Sequence, residues 1–338
     1  MTKLVRQVYL DNAATTRLDP AVLECMLPYM RERYGNPSST HSLGVTARAG
    51  VEDARRIVAE ILGVSPGNIF FTSGGTEANN WAIIGMLMVD GMKHVITSLL
   101  EHVSVLHPVQ ALAQQGRIEV SYVPVKDNGE LDYNALTSLL QRHPKSLVSL
   151  MHGNNEIGNM SDLYVIGALC REYGALFHTD MVQTLGYHAI DLSKLPVDVC
   201  SGSAHKLHGP KGVGLIYVRD RALVEPFLRG GMQERGFRAG TENVAGIVGF
   251  AKALMIASNG RKYCVDYLER LKKHMIDRLQ VVVPAAVYHG LCGDLTKSLC
   301  TILSVGLPSL VDRETLLLNL SMGGVLASGS SACVSGGG

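Results

Sequence analysis

A lysine that could do covalent chemistry stands at position 206, in the run Ser201-Gly202-Ser203-Ala204-His205-Lys206-Leu207-His208-Gly209-Pro210-Lys211-Gly212. The run follows a segment that reads as a strand. Its small residues let a planar ligand approach the backbone, and an amine there can condense with a carbonyl cofactor. A surface lysine in a loop is the plainer reading. Asp180 ends a second strand-like segment, Phe177-His178-Thr179-Asp180-Met181-Val182-Gln183. A carboxylate at a strand's carboxyl end lies where open α/β sheets bind ligands, and it could pair with a protonated ring nitrogen. It could equally cap a helix.

Three more strand ends carry polar residues. Thr72-Ser73-Gly74-Gly75-Thr76-Glu77 joins a strand to a helix, and backbone N–H groups at such a turn suit a phosphate. Leu100-Glu101-His102-Val103-Ser104 offers an imidazole that could lie against an aromatic ligand or move protons, or simply be structural. Met151-His152-Gly153-Asn154-Asn155-Glu156-Ile157-Gly158 offers two amides, or an Asx turn. Near the end of the chain, Cys333 sits in Ala327-Ser328-Gly329-Ser330-Ser331-Ala332-Cys333-Val334-Ser335-Gly336. Glycine, serine and alanine neighbours cannot hold it in a core, so it reads as an exposed thiol.

The elements that must position these residues alternate in type. Strand-like runs are expected at 68–72, 94–97, 118–125, 147–151, 175–179, 197–201 and 212–217. Helical patterns are expected at 20–33, 46–62, 77–88, 105–114, 133–142 and 163–173. This βαβ rhythm predicts a mostly parallel seven-stranded sheet covered on both faces. Beyond Thr241 the pattern changes. A long helix is expected over about 244–279, then strand-like VVVPAAVYHG and LCTILSVGL, then a short helix near 314–320. That reads as a smaller α+β domain.

Composition narrows the function. The 338 residues carry 31 Lys and Arg against 30 Asp and Glu, so no charge excess favours nucleic acid. No apolar run reaches the ~18 residues a membrane span needs. The seven cysteines are scattered without a C-x-x-C pair, which disfavours a disulfide framework or a zinc site. Neither HExxH nor GxxxxGK[ST] occurs. The start lacks the apolar core of a signal peptide, so a cytoplasmic location is expected.

Together these segments resemble the cysteine desulfurases of the NifS/IscS type, which are fold-type I, class V enzymes that use pyridoxal 5′-phosphate (PLP). The resemblance runs from Tyr9-Leu10-Asp11-Asn12-Ala13-Ala14-Thr15-Thr16 through Tyr34-Gly35-Asn36-Pro37-Ser38-Ser39 to the cysteine loop. It implies a large PLP-binding domain over 15–255. It also implies a small domain made of 1–14 and 256–338, C-terminally shortened relative to the family. Lys206 would hold PLP as a Schiff base, Asp180 would pair with the ring nitrogen, and His102 would stack on the ring. Gln183 and Asn155 would bond around the ring oxygen. Gly75, Thr76, Ser203 and His205 would cradle the phosphate. Thr241 would reach the phosphate of the other subunit of a homodimer. Cys333 would take sulfur from L-cysteine as a persulfide, leave L-alanine, and pass the sulfur to an acceptor protein for iron–sulfur clusters or thio-modification. The alternatives are a selenocysteine lyase, another class V enzyme, or an inactive relative that acts as a binding partner.

Overall fold

The computed structural model describes residues 7–89, 91–307 and 312–329. A two-residue strand, β1 (Val8–Tyr9), leads into α1 (Pro20–Arg31) and α2 (Ser42–Leu62). Asp19 caps α1 by accepting from Ala21 N, with Pro20 in the first turn. α2 starts four residues earlier than its apolar pattern suggests, because the His41 ring caps it by accepting from Gly44 N. It stops at Gly63, whose φ of 70° closes the helix in the left-handed region.

The sheet is then laid down by β2 (Ile69–Thr72), α3 (Gly75–Leu87), β3 (His94–Thr97), α4 (Val103–Gln114) and β4 (Glu119–Tyr122). It continues through α5 (Tyr133–Arg142), β5 (Leu147–Ser149), α6 (Leu163–Glu172), β6 (Leu176–Asp180), β7 (Val199–Ser203) and β8 (Gly214–Val218). The seven strands lie in the order β2-β8-β7-β6-β5-β3-β4. The mostly parallel sheet expected from the sequence is present. β8 is the exception, running antiparallel to both β2 and β7. The chain returns from β7 to β8 through a short loop rather than a crossover helix, which only an antiparallel partner allows.

α3 and α4 cover one face, burying Trp81, Ile83, Met86, Val105 and Val109 against the sheet. The other face is packed by α1, α2, α5, α6 and the first turns of α7 (Val244–Val282), with Phe177, Leu140, Ile166 and Phe250 inside. Three layers result, and all strands but β8 direct their carboxyl ends to one edge.

α7 carries 39 residues and runs through Val281 and Val282, which the valine-rich run placed in a strand. Both are exposed, so the helix continues where local β-propensity has no packing to enforce it. The expected strands beyond shrink to β9 (Val287–Tyr288) and β10 (Val305–Gly306), paired antiparallel. α8 (Arg313–Met322) precedes β11 (Val325–Leu326), which pairs in parallel with β1. Among the described residues no helix is long and apolar enough to cross a membrane. Their six cysteines are all free thiols. Cys333 and its immediate neighbours lie outside the described residues.

Candidate active site

Several of the polar residues singled out in the sequence, Lys206, Asp180, His102 and Ser203 among them, lie at the carboxyl edge of the sheet. β2 delivers Ser73 and Gly74 to the start of α3. Gly74 packs against Gly214, where an added Cβ would sit 2.6 Å from the Gly74 carbonyl carbon. That close approach seats the start of α3 on the first residue of β8, beside the end of β7. α3 has no side-chain cap on its first turn, so its leading N–H groups point outward unclaimed by a capping side chain. Gly75, Thr76, Ser203 and His205 line one open cavity with Ser73 and Lys211, of about 400 Å³.

Asp180 is the last residue of β6 and is buried. Its Oδ1 accepts from Val182 N at 2.8 Å, and its Oδ2 accepts from Asn79 Nδ2 at 2.6 Å. His102 caps α4, with Nδ1 accepting from Ser104 N at 3.1 Å and lying 2.7 Å from Ser104 Oγ. That arrangement assigns the ring proton to Nε2. Burial pushes the imidazole below its usual range; Asp180 pulls the other way, and Lys206 adds to the lowering. The ring stays neutral at pH 7, and Ser104 and Asn79 link it to Asp180.

Lys206 follows β7 in a short 3₁₀ turn. Its Nζ donates to Ala13 O at 2.5 Å and Ala14 O at 2.8 Å. Gln183 Nε2 donates to the same Ala13 carbonyl at 3.0 Å. Thr16 pins this N-terminal strap down, with its N and Oγ1 each donating to His205 O at 2.9 Å. The His205 ring meets Thr15 Oγ1 at 3.1 Å. Burial pushes its pKa down to about 4, with Lys206 and Lys211 adding to the fall, so His205 offers a neutral N–H.

Two predicted residues sit further out. Asn155 is half-buried and donates to the neighbouring Glu156 at 3.2 Å. Asn154 makes the Asx turn, its Oδ1 accepting from Glu156 N and Ile157 N. Thr241 is exposed and bonds to none of the other described candidates; two residues on, Asn243 reaches Gly212 O at 3.3 Å.

Several residues that build the site escaped the sequence reading. Asn79 joins Asp180 to Ser104, and the signal was an amide on an otherwise apolar helix face. Glu77 clamps the first turn of α3. It accepts from Ser73 N at 2.8 Å and from Arg238 at 2.7 and 3.0 Å. Burial works to raise the Glu77 pKa, but the bonds from Arg238 and Ser73 outweigh it and hold the carboxylate below its usual range. Arg238 lies in the Arg235–Thr241 segment, which a buried pair anchors from behind. Arg55 grips Glu234 through two bonds of 2.7 and 2.8 Å. Glu101, directly before His102, is fully buried; burial raises its pKa well above normal, against the pull of the Met151 N–H.

This arrangement offers a polar cavity at a helix N-terminus, an amine, a buried carboxylate and a flat neutral imidazole. That donor set fits PLP: the uncapped turn of α3 suits the phosphate, and Asp180, held by Asn79, suits a ring N–H. The orphaned, buried Asn79 Oδ1 lies in the same network.

Comparison with known proteins identifies the family. The family model "Aminotransferase class-V" matches residues 8–334. The chain is 41% identical over 333 residues to "Cysteine desulfurase IscS" of Dictyoglomus turgidum, covering 98% of this chain and 83% of that protein. The solved structure of a "NIFS-like protein" superposes with a TM-score of 0.90 at 39% identity, covering 95% of this chain and 87% of that one. A second, "SspA in complex with cysteine", gives a TM-score of 0.81 at 30% identity, covering 97% and 90%.

Proposed function

Since the chain belongs to the class V aminotransferase family, as a cysteine desulfurase of the NifS/IscS type, we propose that it binds PLP at the edge of its sheet and moves sulfur from L-cysteine to Cys333. The observation that carries this reading is the bonding beside the uncapped start of α3: Asn79 and Ser104 link Asp180 to His102, and Lys206 and Gln183 share the Ala13 carbonyl. Members of this family are PLP-dependent enzymes. When bound, PLP supplies an aromatic ring that takes up the electron pair left on the substrate's α-carbon.

The chain's own residues have separable tasks. The α3 N–H groups, with Thr76, Ser203 and His205, hold the phosphate. Gly75 adds no side chain there; a Cβ would lie 2.8 Å from Val182 Cγ2. Asp180 would keep a proton on the ring nitrogen, and Asn79 keeps Asp180 in place. His102 would lie against the ring, while Asn155 and Gln183 would offer amides to its oxygen. Lys206 would hold the cofactor through its aldehyde group, and its amine, freed when substrate takes its place, would move protons at the substrate α-carbon. Thr241 serves the phosphate site of a partner subunit in a homodimer.

Cys333 attacks the substrate sulfur as a thiolate. The new S–S bond forms as the C–S bond breaks; the carbon keeps that electron pair, takes a proton, and leaves as L-alanine. Sulfur remains on Cys333 as a persulfide, to be passed to an acceptor protein of iron–sulfur cluster or thio-modification chemistry in the cytoplasm. Ser328, five residues before Cys333 in the sequence, donates its Oγ to Asp11 Oδ1 at 2.8 Å, beside the strap that holds Lys206.

The test is alanine and persulfide formation from L-cysteine by the PLP-loaded protein and a Cys333→Ala variant. Wild type should form both, and the variant neither, while keeping the cofactor's absorption. Alanine formed equally by both would refute the role of Cys333.

A further inference from the structure

A second cluster of ligating side chains lies at the opposite edge of the sheet. His94 is the first residue of β3 and Glu119 the first of β4, and the parallel register sets them side by side. His143 caps the carboxyl end of α5. Its ring lies flat on His94, with centroids 3.7 Å apart and planes within 11°. Asp180 and Ser203, by contrast, are the last residues of their strands. The cluster is therefore separate from the site around Lys206.

The bonding of His94 is incomplete in an informative way. Its Nε2 lies 3.0 Å from Ser121 Oγ on β4. If that nitrogen donates to the hydroxyl, Nδ1 presents its lone pair. Nδ1 is buried and has no hydrogen-bond partner. It faces Glu119 Oε2 at 3.5 Å, beyond a normal hydrogen bond. In that tautomer the lone pair and the carboxylate oxygen repel unless a cation lies between them. Two ligands each about 2.1 Å from a tetrahedral ion sit roughly 3.4 Å apart, close to the separation found here.

We propose that His94, Glu119 and His143 bind a first-row transition-metal ion of the zinc class. Their ligand atoms all lie within 4.8 Å of one another. Two imidazoles and a carboxylate favour zinc, cobalt or nickel over magnesium or calcium. Ser121 is the outer partner that a ligating histidine needs on its second nitrogen. Stacked rings aim their lone pairs in parallel, so His143 turns about its side-chain bonds to complete the set. Its half-exposed position at a helix end leaves it room. Glu119, 81% exposed, opens the site to solvent. The bound ion ties the edge strand β4 and the end of α5 to β3.

The test is zinc titration by calorimetry of the PLP-loaded protein after alkylation of its accessible thiols, beside His143→Asn and Glu119→Gln. Wild type should take up one equivalent, with affinity falling roughly 30-fold or more in each variant. Magnesium should give no binding, and cobalt should show the visible absorption of a low-symmetry site, lost in His143→Asn. Alanine formation, assayed on the same three proteins before alkylation, should be equal. No zinc uptake, or uptake of equal stoichiometry and affinity in both variants, would overturn the proposal.

Discussion

Asn79 donates to Asp180 Oδ2 at 2.6 Å, and the same amide nitrogen donates to Ser104 Oγ at 2.8 Å. Ser104 in turn meets His102 Nδ1. One side chain on α3 thus couples the carboxylate at the end of β6 to the imidazole at the start of α4. A carboxylate that pairs with a ligand across a cavity must not swing away when the cavity is empty, and this bond holds it.

Replacing Asn79 with alanine removes a donor to a charged group, worth about 1–3 kcal/mol. The expected result is PLP binding weakened by roughly ten-fold, read by absorbance titration, with folding retained. Wild-type affinity in that variant would remove Asn79 from the account.

The Glu77–Arg238 pair, with both side chains largely buried, steadies the first turn of α3. Arg238→Ala should loosen that turn and lower PLP affinity. The folded Glu77 pKa lies below its ordinary value of 4.5. The pair's stabilisation is therefore present in full above that value and is lost as pH falls through the folded pKa. Urea unfolding should show the wild type's advantage over the variant at pH 7, narrowing on acidification. A gap independent of pH would argue against the ion pair.

Glu101 shifts the opposite way. Its pKa is raised by burial, so the folded state holds a proton that the unfolded state releases above about pH 4.5. Stability contributed by this residue falls as pH rises from that value towards the folded pKa. Glu101→Gln keeps the shape and abolishes the titration. The variant should gain on wild type in urea unfolding between pH 5 and 8. A constant difference would mean that Glu101 is ionised in the fold.

Arg55 and Glu234 are 2% and 5% exposed, and Glu234 sits at a φ of 45° that side chains rarely adopt. Phe71 N also donates to Glu234 at 3.0 Å. Glu234→Leu removes the buried half of the pairing and leaves the guanidinium only the half-exposed Glu52 and the Ile69 carbonyl, a cost of up to about 3–5 kcal/mol. Chemical denaturation should show a loss of that size, and the segment leading to Thr241 should exchange its amides faster. A loss below ~1 kcal/mol would show the pair to be dispensable.

What the sequence made legible follows from where its signals lie. Lys206, Asp180 and His102 each follow a strand among small or polar residues, and strand ends are where such a sheet gathers its ligands. The strap was not legible in the same way. Ala13 and Ala14 act through carbonyl oxygens, which every residue carries, so their role appears only once the chain is folded. Asn79 could be seen only as a polar intruder on a buried helix face. β8 reads like its parallel neighbours because direction leaves no mark on an apolar run. His94, Glu119 and His143 are far apart in sequence and meet only through the register of two strands and the end of α5.

The central claim is that Lys206 is the residue that holds PLP. Reduction of the PLP-treated protein with borohydride, followed by peptide mass mapping, tests it directly. The account predicts a single pyridoxyl adduct on Lys206 that is absent in Lys206→Ala. An adduct on Lys211, which lines the same cavity, or none at all, would contradict it.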